Sequence, residues 1–568
     1  MPQVASIDRP ARFHFPVRQI KEQRIDDIKI SEPSAAATGV LIVDSGIVPG
    51  HPLLSMATGE IKSFIEGKTP VDEYGHGTSV AGLSLYGDIN KCIQNNKIFN
   101  PDCWIFSARV LDESGEYNEY DDRSIELKFW KSLNTFLREY PIIKVVNISI
   151  GNGDEIFASG QHQFRWASLI DEILYGLSKN GKNIIMVISV GNNFRNYDYN
   201  DYPDNLFEDE ARLINPATAA LAITVGSVSP GLESSIEPSR RPIAGHMGFP
   251  SPFTRTGPGL DGMIKPDLVE VGGDYIFPAD EDPTIGIVTI NKDFVGGNLF
   301  AIANGTSFSA PKVSNLIARL WNLFPSASSN LIKALLISSS IIPKKLLPNR
   351  SGCMELDSFF TPRRHAGISE EKLHFVYGYG IPNFDEAKSS DINKVILLDE
   401  STIKLDSAKF YEIPLPDSYY STDGRREISV TLCFDPETRR TRGDSYLGCI
   451  MQFRLHRGSS LEELKAKYTE LNDIELDEMT SPKELTLFPR PRIRSKGCMQ
   501  KGSIVIKRPQ YSDESLQLVI ICQNKWIADP EYEQKYAVVV KIIHERPVDI
   551  YTQIKSRVEH RIRARVQV

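Results

Sequence analysis

The chain is predicted to be an α/β protein, with a mainly parallel sheet covered by helices on both faces and then a β-rich unit of sandwich or jelly-roll type. Three observations predict this. Short apolar runs at 38–43, 142–150, 183–190 and 221–227 read as buried strands, because a strand covered on both faces loses the polar alternation of a half-exposed one. Helical patterns lie between these runs, as strand–helix–strand crossovers require. After about residue 395 the helical patterns give way to β-rich runs separated by polar and proline-containing loops, the habit of antiparallel sandwiches.

The elements follow in order. Between the second and third runs, Phe164, Leu169, Ile173 and Leu177 share one helical face over 163–177, and 122–139 reads as a helix stopped before Pro141. A further helix opens at Ser307, with Val313, Leu316, Ile317 and Leu320 on one face and Pro325 closing it. The segment Tyr377-Gly378-Tyr379-Gly380-Ile381-Pro382 punctuates the chain. Runs at 409–413, 428–434, 449–455, 502–506, 516–522 and 536–544 then read as strands, while 459–479, charged and spaced by Leu461, Leu464, Tyr468 and Leu471, reads as a helical or flexible surface insertion. The expected organisation is an N-terminal extension over 1–36, an α/β unit over 37–390 and a β-rich unit over 395–568.

Composition narrows the class. A chain of 568 residues, 41% hydrophobic and 24% charged, can bury a large core. Its net charge of -8 gives no general preference for nucleic acid or for an anionic membrane. No apolar run reaches the ~18 to 20 residues of a membrane span, and the first 30 residues lack the apolar core of a signal peptide; a cytoplasmic protein is expected. The seven cysteines, Cys92, Cys103, Cys353, Cys433, Cys449, Cys498 and Cys522, show no CxxC spacing and read as isolated reduced thiols.

Chemistry concentrates in three motifs. In chain order they are Val43-Asp44-Ser45-Gly46, Tyr74-Gly75-His76-Gly77-Thr78 and Asn304-Gly305-Thr306-Ser307-Phe308-Ser309-Ala310-Pro311. Each alone reads as a turn or a loop. Together they supply one acid, one imidazole and one hydroxyl, each set among small residues that let a substrate backbone approach. A serine hydroxyl is a poor nucleophile at neutral pH, so Ser307 needs a base such as His76 to take its proton, and His76 needs a buried carboxylate such as Asp44 to orient and compensate it. The helix starting at Ser307 directs its positive end at the attacked carbonyl.

With acid, imidazole and hydroxyl in that order, the chain resembles the subtilases over about residues 36–385. Further support comes from Arg255-Thr256-Gly257-Pro258, Lys265-Pro266-Asp267-Leu268-Val269 and Tyr377-Gly378-Tyr379-Gly380. The resemblance implies a subtilisin-like sheet and a serine endopeptidase with Asp44, His76 and Ser307 as its triad, without cofactor or catalytic metal. It assigns the oxyanion donor to Asn192, in Gly191-Asn192-Asn193 at the end of the 183–190 run; the alternative gives Asn192 a turn role and makes Asn193 the donor. It also implies a substrate cleft with Ser149, Ile150 and Gly151 as one wall and Ser189, Val190 and Gly191 as the other. An extended peptide would pair with such strand edges through its backbone, whatever its sequence.

Departures from the family pattern matter too. His51-Pro52-Leu53-Leu54 offers no carboxylate where many secreted subtilases bind calcium, so that site is expected to be absent. Glu270-Val271-Gly272-Gly273 replaces the usual alanine-proline-glycine, and Lys312 stands where many relatives carry histidine. Only 43 residues precede Asp44, too few for both an inhibitory pro-domain and the strand entering the sheet. Control is therefore expected from a partner, from the chain's own loops or tail, or from a poorly preorganised site. The arrangement loosely resembles proteases found beside AAA-type ATPases in bacterial defence pairs, which makes such an ATPase a candidate partner beside a protein or peptide substrate. The competing class is a latent or non-catalytic binding protein whose C-terminal unit does the work. Its support is Arg561, Arg563 and Arg565, which alternation places on one strand face where they would meet phosphates or an acidic partner; an edge strand blunted by charge explains them equally. An esterase or lipase reading lacks the GxSxG elbow at Ser307.

Overall fold

A computed structural model describes residues 25–112, 124–193, 202–231, 241–277, 285–343, 345–349, 352–355, 370–441, 445–469, 483–506 and 516–556. Seven strands form the main sheet: β1 (Gly39–Asp44), β2 (Thr58–Ser63), β3 (Trp104–Arg109), β4 (Ile143–Ile148), β5 (Ile185–Ser189), β6 (Ile223–Val228) and β7 (Leu268–Val271). Their spatial order is β7-β6-β5-β4-β1-β3-β2, and every neighbouring pair is parallel. The four predicted runs become β1, β4, β5 and β6. Sequence patterning misses the other three for physical reasons: β2 is a partly exposed edge strand reading TGEIKS, β3 ends in an arginine, and β7 is only four residues long and contains Glu270.

Helices cover both faces, as predicted. Period-two alternation in β1 sends Val40 and Ile42 into one core, with Val80 and Leu83 of α1 (His76–Tyr86) and Val313 and Ile317 of α4 (Thr306–Leu323). It sends Leu41 and Val43 into the other, with Phe129 and Phe136 of α2 (Ile125–Glu139) and Ile170 and Leu174 of α3 (Arg165–Lys179). Parallel strands therefore end together at one edge of the sheet, where Asp44 closes β1 and Ser149 and Val190 follow β4 and β5.

Antiparallel strands build the C-terminal part: β8 (Lys394–Lys404), β9 (Ser407–Ile413), β10 (Arg426–Phe434), β11 (Cys449–Arg457), β12 (Met499–Ile506), β13 (Leu516–Asn524) and β14 (Glu533–His544). They form two sheets, ordered β8-β14-β10-β12 and β9-β13-β11. Their facing sides share one core, with Ile428, Val430 and Leu432 against Phe453, Leu455, Leu518 and Ile520. The sequence reading misses β8, whose burial is intermittent. The expected insertion contains a helix, Leu461–Thr469; the arginine stretch at 561–565 lies outside the described residues.

The two parts of the chain are joined through helix α5 (Ser329–Ser339). Ala537 and Val539 of β14 turn away from the second sheet and share a core with Ile337 of α5, which is why β14 reads as a nearly continuous apolar run. Within this seam the buried Lys333 ammonium donates to Asp435 Oδ1 at 2.7 Å and to the Leu221 carbonyl at 2.8 Å. Nearby, Asp171 of α3 accepts from Ala220 N (2.9 Å), Leu221 N (2.8 Å) and the Tyr446 hydroxyl (2.7 Å).

Burial pushes the Asp171 carboxyl up from 3.8 to about 6, against the pull of these donors. The folded chain therefore keeps a proton that the unfolded chain releases, and this contribution to stability is full below about pH 4 and lost as pH rises through 6. Asp171→Asn removes the dependence. The stability of wild type relative to the variant is expected to be greater at pH 4 than at pH 7, by on the order of 2 kcal/mol, as read by chemical denaturation at the two pH values.

Candidate active site

The first two motifs meet where β1 and α1 end and begin. Asp44, fully buried, accepts the Ser45 N–H through Oδ1 at 2.8 Å, and the same oxygen lies 2.8 Å from His76 Nδ1. Asp44 Oδ2 is buried without a hydrogen-bond partner among the described residues, so the carboxylate depends on the imidazole for compensation. Such pairing fixes Nδ1 as the protonated nitrogen and leaves Nε2 as the base. The approach needs a glycine at 77: a methyl carbon there would stand 2.0 Å from the Gly46 carbonyl oxygen and 3.3 Å from Asp44 Cβ.

A second carboxylate holds the histidine's loop, and the sequence reading did not single it out. Asp72, 4% exposed, accepts five hydrogen bonds: from Ser45 Oγ (3.1 Å), Tyr74 N (3.0 Å), Gly75 N (2.8 Å), Thr78 N (2.8 Å) and Thr78 Oγ1 (2.6 Å). It ties both sides of the Asp44–His76 contact to one buried anion. Its signal in the sequence is an aspartate three residues before a glycine, the pattern of a side chain capping its own turn. Arg109, at the end of β3, supports the same loop by donating to the carbonyls of Thr69 (3.0 Å) and Val71 (2.8 Å) and to Glu73.

Ser307 lies in the first turn of α4, whose start is fixed by strand ends. Asn192, just past β5, accepts through Oδ1 from Thr306 N (2.9 Å) and Thr306 Oγ1 (3.1 Å), so it satisfies an N–H that a helix start leaves open. This leaves Nδ2 without a partner among the described residues, on the side of Gly305, where a methyl carbon would lie 3.3 Å from it. Asn193 is buried and held through its backbone by Phe253 O at 2.9 Å.

Pro311 adds a consequence within α4. Lacking an N–H, it cannot bond the carbonyl four residues back, which is that of Ser307. Ser149 Oγ donates to that carbonyl instead, at 3.0 Å, and is itself held by Asn147 Nδ2 (2.9 Å), whose Oδ1 accepts from Ser314 Oγ (2.9 Å). The Ser307 hydroxyl donates to the Ser149 carbonyl at 3.0 Å, so its one proton is directed at the backbone just past β4. The neighbouring Phe308 ring lies 5.7 Å from that of His76.

The residues expected as walls, Ser149 to Gly151 and Ser189 to Gly191, lie at the ends of β4 and β5. Ile150 and Val190 turn into the core with α2 and α3, while Ser149 and Ser189 are buried at the strand ends. The two departures noted in the sequence meet each other: Lys312 Nζ lies 2.7 Å from Glu270 Oε1, and Ser309 Oγ donates to the Glu270 carbonyl at 3.0 Å. At the position with no calcium carboxylate, His51 caps the short helix Pro52–Ser55 by accepting from Leu53 N. Among the described residues no cluster of three or more His, Cys, Asp or Glu side chains is arranged to hold a metal, and no helix is long and apolar enough to cross a membrane.

Comparison with known proteins gives three findings. The model of the Subtilase family, Peptidase S8, matches residues 36–380. A protein of Sinorhizobium fredii strain NGR234, described as uncharacterized protein y4bN, is 33% identical over 437 residues, 73% of this chain and 95% of its own. Similar solved structures include the epidermin leader peptide processing serine protease EpiP of Staphylococcus aureus (19% identity, 64% of this chain and 76% of that one, TM-score 0.40) and a lanthipeptide protease (18%, 62% and 86%, TM-score 0.37).

Replacing Asp72 by alanine leaves several buried donors without an acceptor, each worth about 1–3 kcal/mol. Asp72→Ala is expected to lower the unfolding free energy by at least ~3 kcal/mol in denaturant titration, and a loss below ~1 kcal/mol would remove Asp72 as the organiser of this loop.

Proposed function

The chain belongs to the subtilase family of serine proteases, and on that premise we propose that Asp44, His76 and Ser307 are its catalytic triad and Asn192 its oxyanion donor, hydrolysing peptide bonds through an acyl-enzyme. The observation that carries this reading is the 2.8 Å contact of buried Asp44 Oδ1 with His76 Nδ1, beside a serine at a helix start. In the first step Ser307 Oγ bonds to the scissile carbonyl carbon while its proton passes to His76 Nε2. The carbonyl oxygen becomes an anion at the start of α4, within reach of Asn192 Nδ2 and the positive helix end. Collapse breaks the C–N bond, and the leaving amine takes the proton from His76. Water, deprotonated by the same nitrogen, then releases the acid and restores Ser307.

Regulation belongs to the same proposal. The Ser307 hydroxyl must turn from the Ser149 carbonyl toward His76 before it can attack, which supports a site completed on engagement of substrate or partner. A cytoplasmic setting and a partner of the AAA-type ATPase class, in a defence pair, are the finer form of this reading; their support is the resemblance of the arrangement alone. The same resting hydrogen bond also favours the second reading, a latent protein that binds without turning over.

A fluorophosphonate probe, which reacts with an activated serine, separates the two. Wild type is expected to be labelled and Ser307→Ala not, with turnover of unfolded casein falling more than about 1000-fold in the variant. Asn192→Ala is expected to lower kcat by about 100- to 1000-fold with little change in KM. No labelling of folded wild type would favour the latent protein, and brisk casein cleavage without any partner would remove the gating element.

A further inference from the structure

The proposed reading leaves open which residue is accepted at P1, the position whose carbonyl is attacked. The two walls, Ser149 to Gly151 and Ser189 to Gly191, are separate chain segments, yet both glycines abut the same side chain. A methyl carbon on Gly191 would lie 2.4 Å from Ile214 Cδ1 and 2.7 Å from Ile214 Cγ1, and one on Gly151 would lie 2.9 Å from that same Cδ1. Ile214 therefore stands between the walls, and it is 5% exposed.

Its position is held from several sides. A short antiparallel ribbon pairs Asn152–Ile156 with Ile214–Asn215, so that Asn152 faces Asn215 and Ile156 faces Ile214. Phe157 N donates to the Leu213 carbonyl (2.8 Å), and Ala217 N donates to that of Ile214 (2.7 Å). The Arg255 guanidinium bridges the segment to the second wall, donating to the Arg212 carbonyl (2.8 Å) and the Glu210 carbonyl (2.7 Å) through Nη1 and to the Asn192 carbonyl (3.1 Å) through Nε. A β-branched side chain is also stiff at χ1. The backbone of Ile214 cannot shift away from the space without breaking these bonds.

We infer that Ile214 closes the space between the walls and restricts P1 to small residues: glycine, alanine or serine. A branched, aromatic or long basic P1 side chain would overlap Ile214 Cδ1. This inference rests on the proposed proteolytic reading and names the substrate class of that same site.

The test uses the full chain and tetrapeptide anilides differing only at P1, alanine against phenylalanine, leucine and arginine, with fluorophosphonate labelling run in parallel. Wild type is expected to favour alanine in kcat/KM by at least about 100-fold over phenylalanine, as a few misplaced methylenes suffice for discrimination of this size. Ile214→Ala is expected to raise the phenylalanine-to-alanine ratio at least tenfold, and Ile214→Val to move it in the same direction by less. A wild type that prefers phenylalanine, leucine or arginine overturns the inference while labelling keeps the proteolytic reading intact; so does a ratio unmoved in both variants. Absence of both labelling and turnover overturns the reading itself and this inference with it.

Discussion

The site depends above all on how the first turn of α4 docks against strand ends. A helix start leaves backbone N–H groups without partners and a partial positive charge, and here the ends of three strands meet it. Asn192 after β5 takes the Thr306 N–H, Ser149 after β4 donates to the Ser307 carbonyl that Pro311 leaves open, and Glu270 of β7 accepts from Ser309 Oγ and pairs with Lys312. The serine is placed by sheet geometry, with each support coming from a rigid element.

Opposite it, the histidine is placed by buried anions. Asp44 meets the imidazole and Asp72 meets the loop that carries it, and Ser45 joins the two by donating to Asp72 while accepting from Gly77 N. Backbone and buried carboxylates thus hold both halves of the site. On the proposed reading, the freedom that chemistry needs lies in one torsion, the χ1 of Ser307, whose hydroxyl donates to the Ser149 carbonyl. A rigid frame with one adjustable hydroxyl is what the proposed completion by substrate would call for, because turning a side chain costs far less than moving a strand end.

The C-terminal sheets are part of this frame. β14 is buried on one side against the second sheet and on the other against α5, and the Lys333–Asp435 pair lies within the seam. Removing one partner of a buried ion pair typically costs 3–5 kcal/mol, so peeling these sheets away would uncover both apolar surface and an uncompensated charge. They act as a brace on α5, the helix that follows α4 directly.

Much of this was legible in the sequence. Both-face burial gave β1, β4, β5 and β6 their largely apolar runs, and helical period marked α3 and the buried face of α4, because periodicity is local information. The candidate groups were legible as well: Asp44, His76 and Ser307 stand in three short motifs among glycines, serines and threonines, and their order and setting single them out as candidates. Short or edge strands such as β2 and β7 escaped, since a partly wet or four-residue strand carries too little pattern. What only the tertiary structure decided are the contacts between distant residues: the hydroxyl of Ser307 on the carbonyl of Ser149, 158 positions away, Asp72 serving both sides of the acid–imidazole pair, Lys312 on Glu270, and Ile214 against both Gly151 and Gly191. Each depends on packing that brings remote segments within hydrogen-bond or van der Waals reach, and no local pattern along the chain encodes that.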